Sequence, residues 1–439
     1  MNESDLLDLA RRALACTTTG EAEVNVSFRD GGLTRFANNH IHQNVAGTDV
    51  SVTLRVVEDG RIGVASTNRT DPDGLAELAE RAGAIACHVE PTPHFAGLPG
   101  PAEVPSVEAV DERTAGFGPE GRAGVVAHLI EAGRSAGATA AGSLETTLTR
   151  RAVVNSRGAS VSFSRTAVRG TAMLHGDTGS AYDEFMASSV DEVDVGQVAD
   201  YLVDRYRSNR DQVEIEPRRY TVVLEPKAVA VLVQMTAWIG FGGAEFHEGR
   251  SFMADRIGEQ VMGSNITIVD DGLDCSGLPM PFDAEGVPRQ RVVLVERGVA
   301  RSVVWDSLYG ARHGVPSTGH ATSPGSGSGP LPTNLFVEPG CATMDEMIAS
   351  VDHGLLVSRF HYTNVAEPMK AVLTGMTRDG TFLVEGGRVT RAVKNLRFTQ
   401  SMLEAFSNVT ALTAHRCNTG VVAPGMTIEG FHFTGKTGF

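Results

Sequence analysis

The chain has 439 residues, 41% of them hydrophobic, and a formal net charge of −15. These values exclude a wholly disordered chain and predict two or three domains. The acidic balance disfavours broad contact with nucleic acid or anionic membranes, because both need clustered lysine and arginine. Five cysteines without a CxxC pair disfavour a disulfide framework and favour reduced thiols. With no signal peptide pattern and no apolar stretch long enough to span a bilayer, we expect a cytoplasmic protein.

The first half of the chain alternates between helical and strand patterns. Residues 4–16 have helical spacing after a serine N-cap, and residues 22–28 alternate apolar and polar side chains as a half-buried strand does. Residues 50–57 and 61–66 flank a Glu-Asp-Gly turn, which predicts a hairpin. The remaining predictions are helices at 73–87, 121–137 and 191–209 and strands at 144–149, 152–156, 160–164 and 165–169. The fold class predicted is α+β, with antiparallel strands and helices on one face.

The pattern changes near residue 215, so we predict one domain over 1–215 and a second over 216–439. Pro226 opens an apolar helix that ends near 240–243, after a predicted strand at 219–224. The rest of the second domain is mostly strands, predicted at 265–270, 290–296, 355–361, 370–375, 381–384 and 427–433. Residues 316–334 are rich in glycine, serine and proline. A structureless segment of that length inside a compact domain is usually functional or mobile.

Local motifs reveal no complete catalytic site. His247-Glu248 begins like a zinc-binding HExxH helix, but position 251 is serine and Gly249 disfavours a continuing helix. We interpret His247 as a surface histidine beside an acid. The basic, glycine-rich segment 310–320 lacks the phosphate-binding GxxxxGK[ST] pattern, and no GxSxG nucleophile elbow is present.

His415 and Cys417 are two residues apart on a predicted strand. Side chains at i and i+2 of a strand point the same way, so both could reach one metal ion. Two ligands are not a site, and a third would have to come from elsewhere, such as His361 or His353. Isolated histidines and cysteines are more often packed than metal-bound.

Longer strings of sequence resemble the TldD/PmbA (TldE) metallopeptidase family. They occur in the family's order and extend over nearly the whole chain, at 57–67, 249–261, 266–272, 309–321 and 416–430. The resemblance implies an N-terminal α/β domain and a β-barrel-like C-terminal domain. It also implies a partnership, in which TldD-type subunits carry zinc on an HExxxH helix with a distant cysteine, and PmbA/TldE-type subunits lack the helix ligands. The complex of the two cleaves unfolded or unstructured peptides.

Anchored on 245–246 and 256–259, the HExxxH positions fall on Met235, Thr236, Ala237, Trp238, Ile239 and Gly240. Met235 replaces the first histidine and offers only a weak thioether ligand. Thr236 replaces the general base and has no carboxylate to activate a zinc-bound water. Gly240 replaces the second histidine and has no side chain.

The distant cysteine of the family has a counterpart in Cys417. One ligand cannot hold catalytic zinc, which takes three protein ligands and a water. The resemblance therefore points to the metal-free branch: we expect no catalytic residue and no metal in this chain, and zinc in a TldD-type partner.

The function that follows is a non-catalytic subunit of a heterodimeric TldD/TldE-type peptidase. Such a subunit would help to hold an extended peptide, for example by strand addition, which gives affinity with little sequence preference. Two alternatives stay open: a self-sufficient metal-dependent hydrolase using His415 and Cys417, and a homodimeric peptide-binding scaffold. The candidates for lining the substrate chamber are Arg256, Gly258, Glu259, Ser317, Thr318, Gly319 and His320.

Overall fold

The computed structural model describes residues 1–18 and 20–437. The helices in this part of the chain are α1 (Glu3–Ala15), α2 (Pro72–His88), α3 (Glu112–Ala115), α4 (Pro119–Ser135), α5 (Val195–Ser208), α6 (Pro226–Gly240), α7 (Gly243–His247), α8 (Ser307–His313), α9 (Met344–Ala349) and α10 (Met402–Ser407). The strands of the first half are β1 (Glu21–Ala37), β2 (His40–Glu58), β3 (Arg61–Thr67), β4 (Thr139–Asn155), β5 (Ser160–His175) and β6 (Ser180–Ala187). The strands of the second half are β7 (Arg219–Leu224), β8 (Ile268–Asp270), β9 (Val292–Glu296), β10 (Val299–Ala300), β11 (Leu335–Val337), β12 (His353–Glu367), β13 (Val372–Glu385), β14 (Arg388–Ala392), β15 (Leu396–Ser401), β16 (Val409–Asn418) and β17 (Val421–Lys436).

The first sheet is antiparallel, with strand order β3-β2-β1-β4-β5-β6. Its helices α1, α2, α4 and α5 bury apolar side chains against one face, where β1 contributes Ala22, Val24, Val26 and Phe28. Those positions alternate along β1 because successive side chains of a strand point to opposite faces. The predicted α+β class is confirmed.

Several local predictions for this half differ from the structure. The strands predicted at 144–149 and 152–156 are one strand, β4, those predicted at 160–164 and 165–169 are one strand, β5, and β6 was not predicted. The N-cap of α1 is Asn2 rather than Ser4: Asn2 accepts from the Asp5 backbone, and Asp5 accepts from the Asn2 backbone in return. The hairpin of β1 and β2 also continues well beyond the predicted strands 22–28 and 50–57. The outer part of β2, 40–49, is exposed on both faces, so it carries no apolar alternation from which a strand could be predicted.

The second sheet is larger and mixed, with strand order β10-β9-β8-β11-β17-β15-β13-β12-β7. The strands β17, β15, β13, β12 and β7 form a closed ring, because β7 also pairs with β17. The family resemblance predicts a β-barrel-like domain here, and the closed pairing of these five strands is the barrel-like feature of this half. The apolar helix α6 packs against β12 and β17, and its residues belong to the main hydrophobic core. Strands β10, β11, β14 and β15 were not predicted, and the strand predicted to carry His415 and Cys417 is β16.

The two halves pack face to face. The first sheet turns the face without helices toward the second half, where Val153 and Phe163 contact Phe282. The last strand of the first sheet ends at Ala187, and the first strand of the second sheet begins at Arg219. The domain boundary at residue 215 stays a prediction. In the described part of the chain, no helix is both long and apolar enough to cross a bilayer.

Candidate functional site

The helix α6 carries the positions at which the family resemblance places a zinc-binding HExxxH motif. Met235 is partly buried against the main core, and Thr236 is fully buried and donates its hydroxyl to the Leu232 carbonyl at 2.7 Å. At Gly240, a Cβ atom would lie 1.9 Å from Cε1 of Phe252. Met235 and Thr236 serve packing, whereas Trp238 in the same stretch is exposed, and Phe252 fills the space that a second histidine would need. This part of the chain does not fit a zinc ion.

Cys417 lies on β16 next to His415, and its Sγ is 3.4 Å from His415 Nε2. The i and i+2 spacing thus brings the pair together. Burial raises the pKa of the Cys417 thiol, outweighing the opposing charge of Lys227. A raised pKa favours the neutral thiol, whereas the thiolate is the form that ligates metal.

The two histidines considered as a third ligand have other partners. His353 Nε2 lies 2.9 Å from Arg218 Nη2, and His361 Nδ1 lies 3.4 Å from Arg359 Nη2. Over residues 1–18 and 20–437, no group of three or more His, Cys, Asp and Glu side chains could hold a metal ion.

A buried charge cluster joins the two halves near Cys417, and the sequence analysis missed it. Lys227, at the start of α6, donates to Asp183 of β6 at 2.6 Å and packs over the ring of Tyr201. Glu225 accepts from the Tyr201 hydroxyl at 2.6 Å and from Arg205. Burial by itself would lower the pKa of Lys227, but Tyr201 and the two carboxylates outweigh it and raise the pKa. The available signal was a lysine at the start of an apolar helix in a lysine-poor chain.

The candidate chamber residues fall into two separate groups. Arg256 and Glu259 form an exposed ion pair, with Nε and Oε2 3.1 Å apart. Gly258 between them has φ +90°, with open space where a Cβ would lie. Such a turn requires a glycine. The assignment of these residues to a substrate chamber stays a prediction.

Ser317, Thr318 and Gly319 belong to the long segment 316–334, which contains no helix or strand. Ser317 donates its hydroxyl to the Trp305 carbonyl at 3.2 Å, and Thr318 accepts from the Trp305 backbone at 2.8 Å. Gly319 has φ +76°, and a Cβ there would lie 2.4 Å from the Pro288 carbonyl oxygen. The segment is thus fixed at this end by hydrogen bonds and close backbone contacts.

His320 is fully buried, so in the isolated chain it does not reach solvent. Its Nε2 lies 2.9 Å from Asp270 Oδ1, and its Nδ1 lies 2.9 Å from the Thr318 hydroxyl. Burial and the charge of Arg289 lower the pKa of His320, which favours the neutral ring. A neutral ring can donate from Nε2 to Asp270 and accept at Nδ1 from the Thr318 hydroxyl, and the Thr318 carbonyl oxygen also lies 2.9 Å from Nδ1.

A cavity of about 250 Å³ lies beside the degenerate HExxxH positions, and sequence reasoning did not find it. Gln234, which precedes Met235, and Asn418, which follows Cys417, line one side. Arg165 and Arg169 of β5 line the side formed by the first sheet. We call this space the arginine cavity. The signal for it was the spacing of two arginines four apart on one strand, which places both on the same face.

Two family models match this chain. The model of the PmbA/TldA metallopeptidase C-terminal domain matches residues 217–435, and that of PmbA/TldA metallopeptidase domain 1 matches residues 22–86. The chain belongs to the TldD/PmbA family.

Relatives in sequence agree with this assignment. A metalloprotease TldD homologue of Buchnera aphidicola is 27% identical over 193 residues, which are 43% of this chain and 40% of that protein. An uncharacterised protein of Methanocaldococcus jannaschii is 38% identical over 128 residues, which are 28% of this chain and 30% of the relative. The chain thus matches well under half the length of these relatives.

Solved structures resemble this TldD/PmbA family member over nearly its whole length. TldE from Thermococcus kodakarensis superposes with a TM-score of 0.90 at 21% identity, covering 98% of this chain and 99% of that one. A putative modulator of a DNA gyrase from Thermotoga maritima gives a TM-score of 0.86 at 17% identity, covering 98% and 99%. At these identities, the likeness establishes the fold.

Proposed function

We propose that this chain is a non-catalytic, TldE-like subunit of a heterodimeric zinc peptidase that acts on unfolded or unstructured peptides. In this assignment a TldD-type partner with an intact HExxxH helix holds the zinc and performs the hydrolysis. The present chain completes the substrate chamber and helps to hold the peptide. The five cysteines, all free, fit the cytoplasmic location that we include in the proposal.

The observation that carries this proposal is the chemistry of α6. A catalytic zinc needs three protein ligands and leaves one position for water. At the two positions where histidine would stand, Met235 is packed against the core and Gly240 lies against Phe252. Thr236, at the position of the general base, is fully buried and bonded to its own helix. This chain therefore lacks the groups for zinc-dependent hydrolysis. If it takes part in the metalloprotease activity that the TldD relatives are named for, a second subunit has to supply the zinc site.

Metal content is the first test. Purified under conditions that supply zinc, the chain should contain far less than one zinc per molecule after desalting. Cys417→Ser should leave that content unchanged. About one zinc per chain that is lost in Cys417→Ser would contradict the non-catalytic assignment and support a self-sufficient hydrolase.

Reconstitution is the second test. The isolated chain should leave casein and an unstructured peptide intact. Mixed with an HExxxH-bearing homologue from the same genome, it should form a heterodimer by native mass spectrometry and cleave both substrates with sensitivity to chelator. Chelator-sensitive cleavage by the isolated chain would refute the proposal. A stable homodimer that ignores the homologue would favour the scaffold alternative.

A further inference from the structure

Three arginines of the first sheet face the second half without a carboxylate partner. Arg151 of β4 and Arg165 and Arg169 of β5 share the face that meets the second half. Among the described residues, none of the three forms an ion pair. Arg151 and Arg165 are half-buried and Arg169 is exposed. Unpaired charge at half-buried positions is notable in a chain with a net charge of −15, because desolvated charges are ordinarily paired.

The contacts that these arginines do make are neutral. Arg165 donates from Nη1 to the carbonyl oxygens of Leu278 at 3.0 Å and Pro279 at 3.2 Å. The nearest polar contacts of the other two are methionine sulfurs: Arg151 Nη1 lies 3.6 Å from Met280 Sδ, and Arg169 Nη2 lies 3.8 Å from a sulfur of β6. Thioether sulfur is a weak acceptor, so most of the donors of Arg151 and Arg169 remain available to a ligand.

The positive charge of the group is not neutralised from nearby. Burial, followed by the charges of Arg151, Arg289 and Arg169, lowers the pKa of Arg165 to about 10. Asp270 is already engaged, since it bonds both Arg289 and a buried histidine.

Two acids on the first sheet are also occupied. Glu145 lies opposite Arg169 in the strand register, but it is bonded to Arg29 at 2.5 Å. Glu184 of β6 accepts from the Tyr182 hydroxyl at 2.8 Å. Neither acid lines the arginine cavity, and among the described residues its charged lining side chains are Arg165 and Arg169.

The arginine cavity also offers neutral polar groups and room for a ligand. Its volume of about 250 Å³ exceeds the roughly 30 Å³ share of one liquid water several times over, enough for a carboxylate and the residue that carries it. Gln234 and Asn418 also line the cavity. The Asn418 amide is engaged, because its Nδ2 donates to the Ser276 carbonyl at 3.4 Å and its Oδ1 accepts from the Gly420 backbone at 3.0 Å. The exposed amide of Gln234 can donate to and accept from a peptide backbone.

We propose that the arginine cavity binds a carboxylate group of a peptide, held by Arg165 and Arg169. The guanidinium group of arginine can donate two parallel hydrogen bonds to one carboxylate. Arg169 is exposed, so a ligand from solvent can reach it. The choice of a peptide carboxylate rests on the proposed function, in which the ligand is an unstructured peptide. The carboxylate comes either from the C-terminus of the peptide or from an aspartate or glutamate side chain.

The test uses the full chain without a partner and three fluorescent peptides of alanine and glycine. One has a free C-terminus, one is amidated, and one is amidated with a central aspartate. Fluorescence anisotropy should show saturable binding of at least one carboxylate-bearing peptide and about tenfold weaker binding of the neutral amide, as expected for a charge-assisted hydrogen bond. Binding of the free acid alone identifies a C-terminal carboxylate, and binding of the aspartate peptide identifies a side chain.

Variants locate the site. Arg169→Gln and Arg165→Gln should each weaken the binding about tenfold. The matched control, Arg35→Gln, removes an exposed arginine of β1 whose side chain donates to Gln43 Oε1 at 3.4 Å, and it should bind like the wild type. Because Arg169 is exposed, its variant remains informative even if Arg165→Gln folds poorly. Equal affinity for acid and amide, unchanged binding in Arg169→Gln, or binding of inorganic phosphate without any peptide carboxylate would overturn the proposal.

This experiment is independent of the test of the proposed function. Carboxylate binding is measured on the isolated chain, whereas the subunit role is measured by zinc content and by pairing with an HExxxH homologue. If the chain binds the carboxylate but neither pairs nor supports cleavage, the carboxylate site stands and the proposed function fails. If it pairs and supports cleavage without binding the carboxylate, the proposed function stands and the carboxylate site fails.

Discussion

The same face of the first sheet carries two groups of arginines with opposite surroundings. Arg55 of β2 lies between two buried carboxylates, Glu23 of β1 at 2.8 Å and Glu285 of the second half at 3.1 Å. Arg165, farther along the face, has backbone carbonyls as its partners. Both arginines lie in the contact between the two halves. The first group has its charge compensated within the protein, while the second has no acidic partner among the described residues.

Because their partners differ, we assign Arg55 a structural role and Arg165 a role in ligand binding. Glu285 connects Arg55 to the second half and also accepts from the Ser307 backbone at 3.0 Å, so this group fixes the halves against each other. A charge that is desolvated but unpaired costs stability. Retaining it is consistent with a ligand site, since function often conflicts with local stability.

Removal of Arg55 should have the largest effect. Arg55→Met would leave Glu23 and Glu285 buried without their cation, and breaking a buried pair by removing one partner costs about 3–5 kcal/mol. Urea unfolding at neutral pH should show this loss, while the exposed control Arg35→Met should stay within about 0.5 kcal/mol of the wild type. A loss below about 1 kcal/mol would mean that the paired group does not hold the two halves together.

Glu23 should make the stability depend on pH. Burial raises the pKa of Glu23 from 4.5 to about 7, with Glu285 adding to the rise and Arg55 opposing it. Between these values the unfolded chain has lost the proton that the folded chain still holds. This group's contribution to stability is therefore complete below pH 4.5 and is lost as the pH rises to 7, by roughly 3 kcal/mol.

Glu23→Gln isolates that contribution. The difference in unfolding free energy between the wild type and Glu23→Gln should change with pH between about 5 and 7 in favour of the variant at the higher pH. Unfolding curves at several pH values provide the measurement. Parallel pH profiles for the two proteins would show that Glu23 is ionised throughout and that Arg55 compensates it fully.

A carboxylate introduced by mutation should give the unpaired arginines an ion-pair partner. Met280 lines the arginine cavity and its sulfur lies 3.6 Å from Arg151, so Met280→Glu places a carboxylate of similar length beside the arginines. We expect stability higher by about 1 kcal/mol and loss of peptide carboxylate binding, because the new group competes for the same donors. Met280→Gln is the matched neutral control and should retain binding. Undiminished binding in Met280→Glu would place the carboxylate elsewhere.

The sequence predicted the elements with strong local signals and missed what depends on contact between the halves. The helix α6 followed from Pro226 and an apolar-rich run that only Gln234 and Thr236 interrupt. The alternation in β1 correctly identified the face that packs on helices, but it made the opposite face, with Glu23, look solvent-exposed. That face is covered by the second half, and no local pattern predicts which distant segment will cover a polar face.

The candidate site shows the same limit. The family resemblance identified the HExxxH positions, and the i and i+2 spacing brought His415 close to Cys417. The reason why position 240 cannot accept a histidine, the ring of Phe252, depends on tertiary packing. The arginine cavity likewise combines β5 with residues of α6 and β16, which lie far apart in the sequence.

The smallest effect on stability should come from Arg169→Gln, which tests an unpaired arginine against the paired Arg55. Arg169 is exposed, has no ion-pair partner among the described residues, and makes its closest polar contact with a methionine sulfur at 3.8 Å. Its removal should change the unfolding free energy by less than about 0.5 kcal/mol, in contrast to the loss expected for Arg55→Met. A stability loss as large as that of Arg55→Met would show that Arg169 also holds the halves together. Unchanged stability with weakened carboxylate binding would separate the two groups of arginines by function.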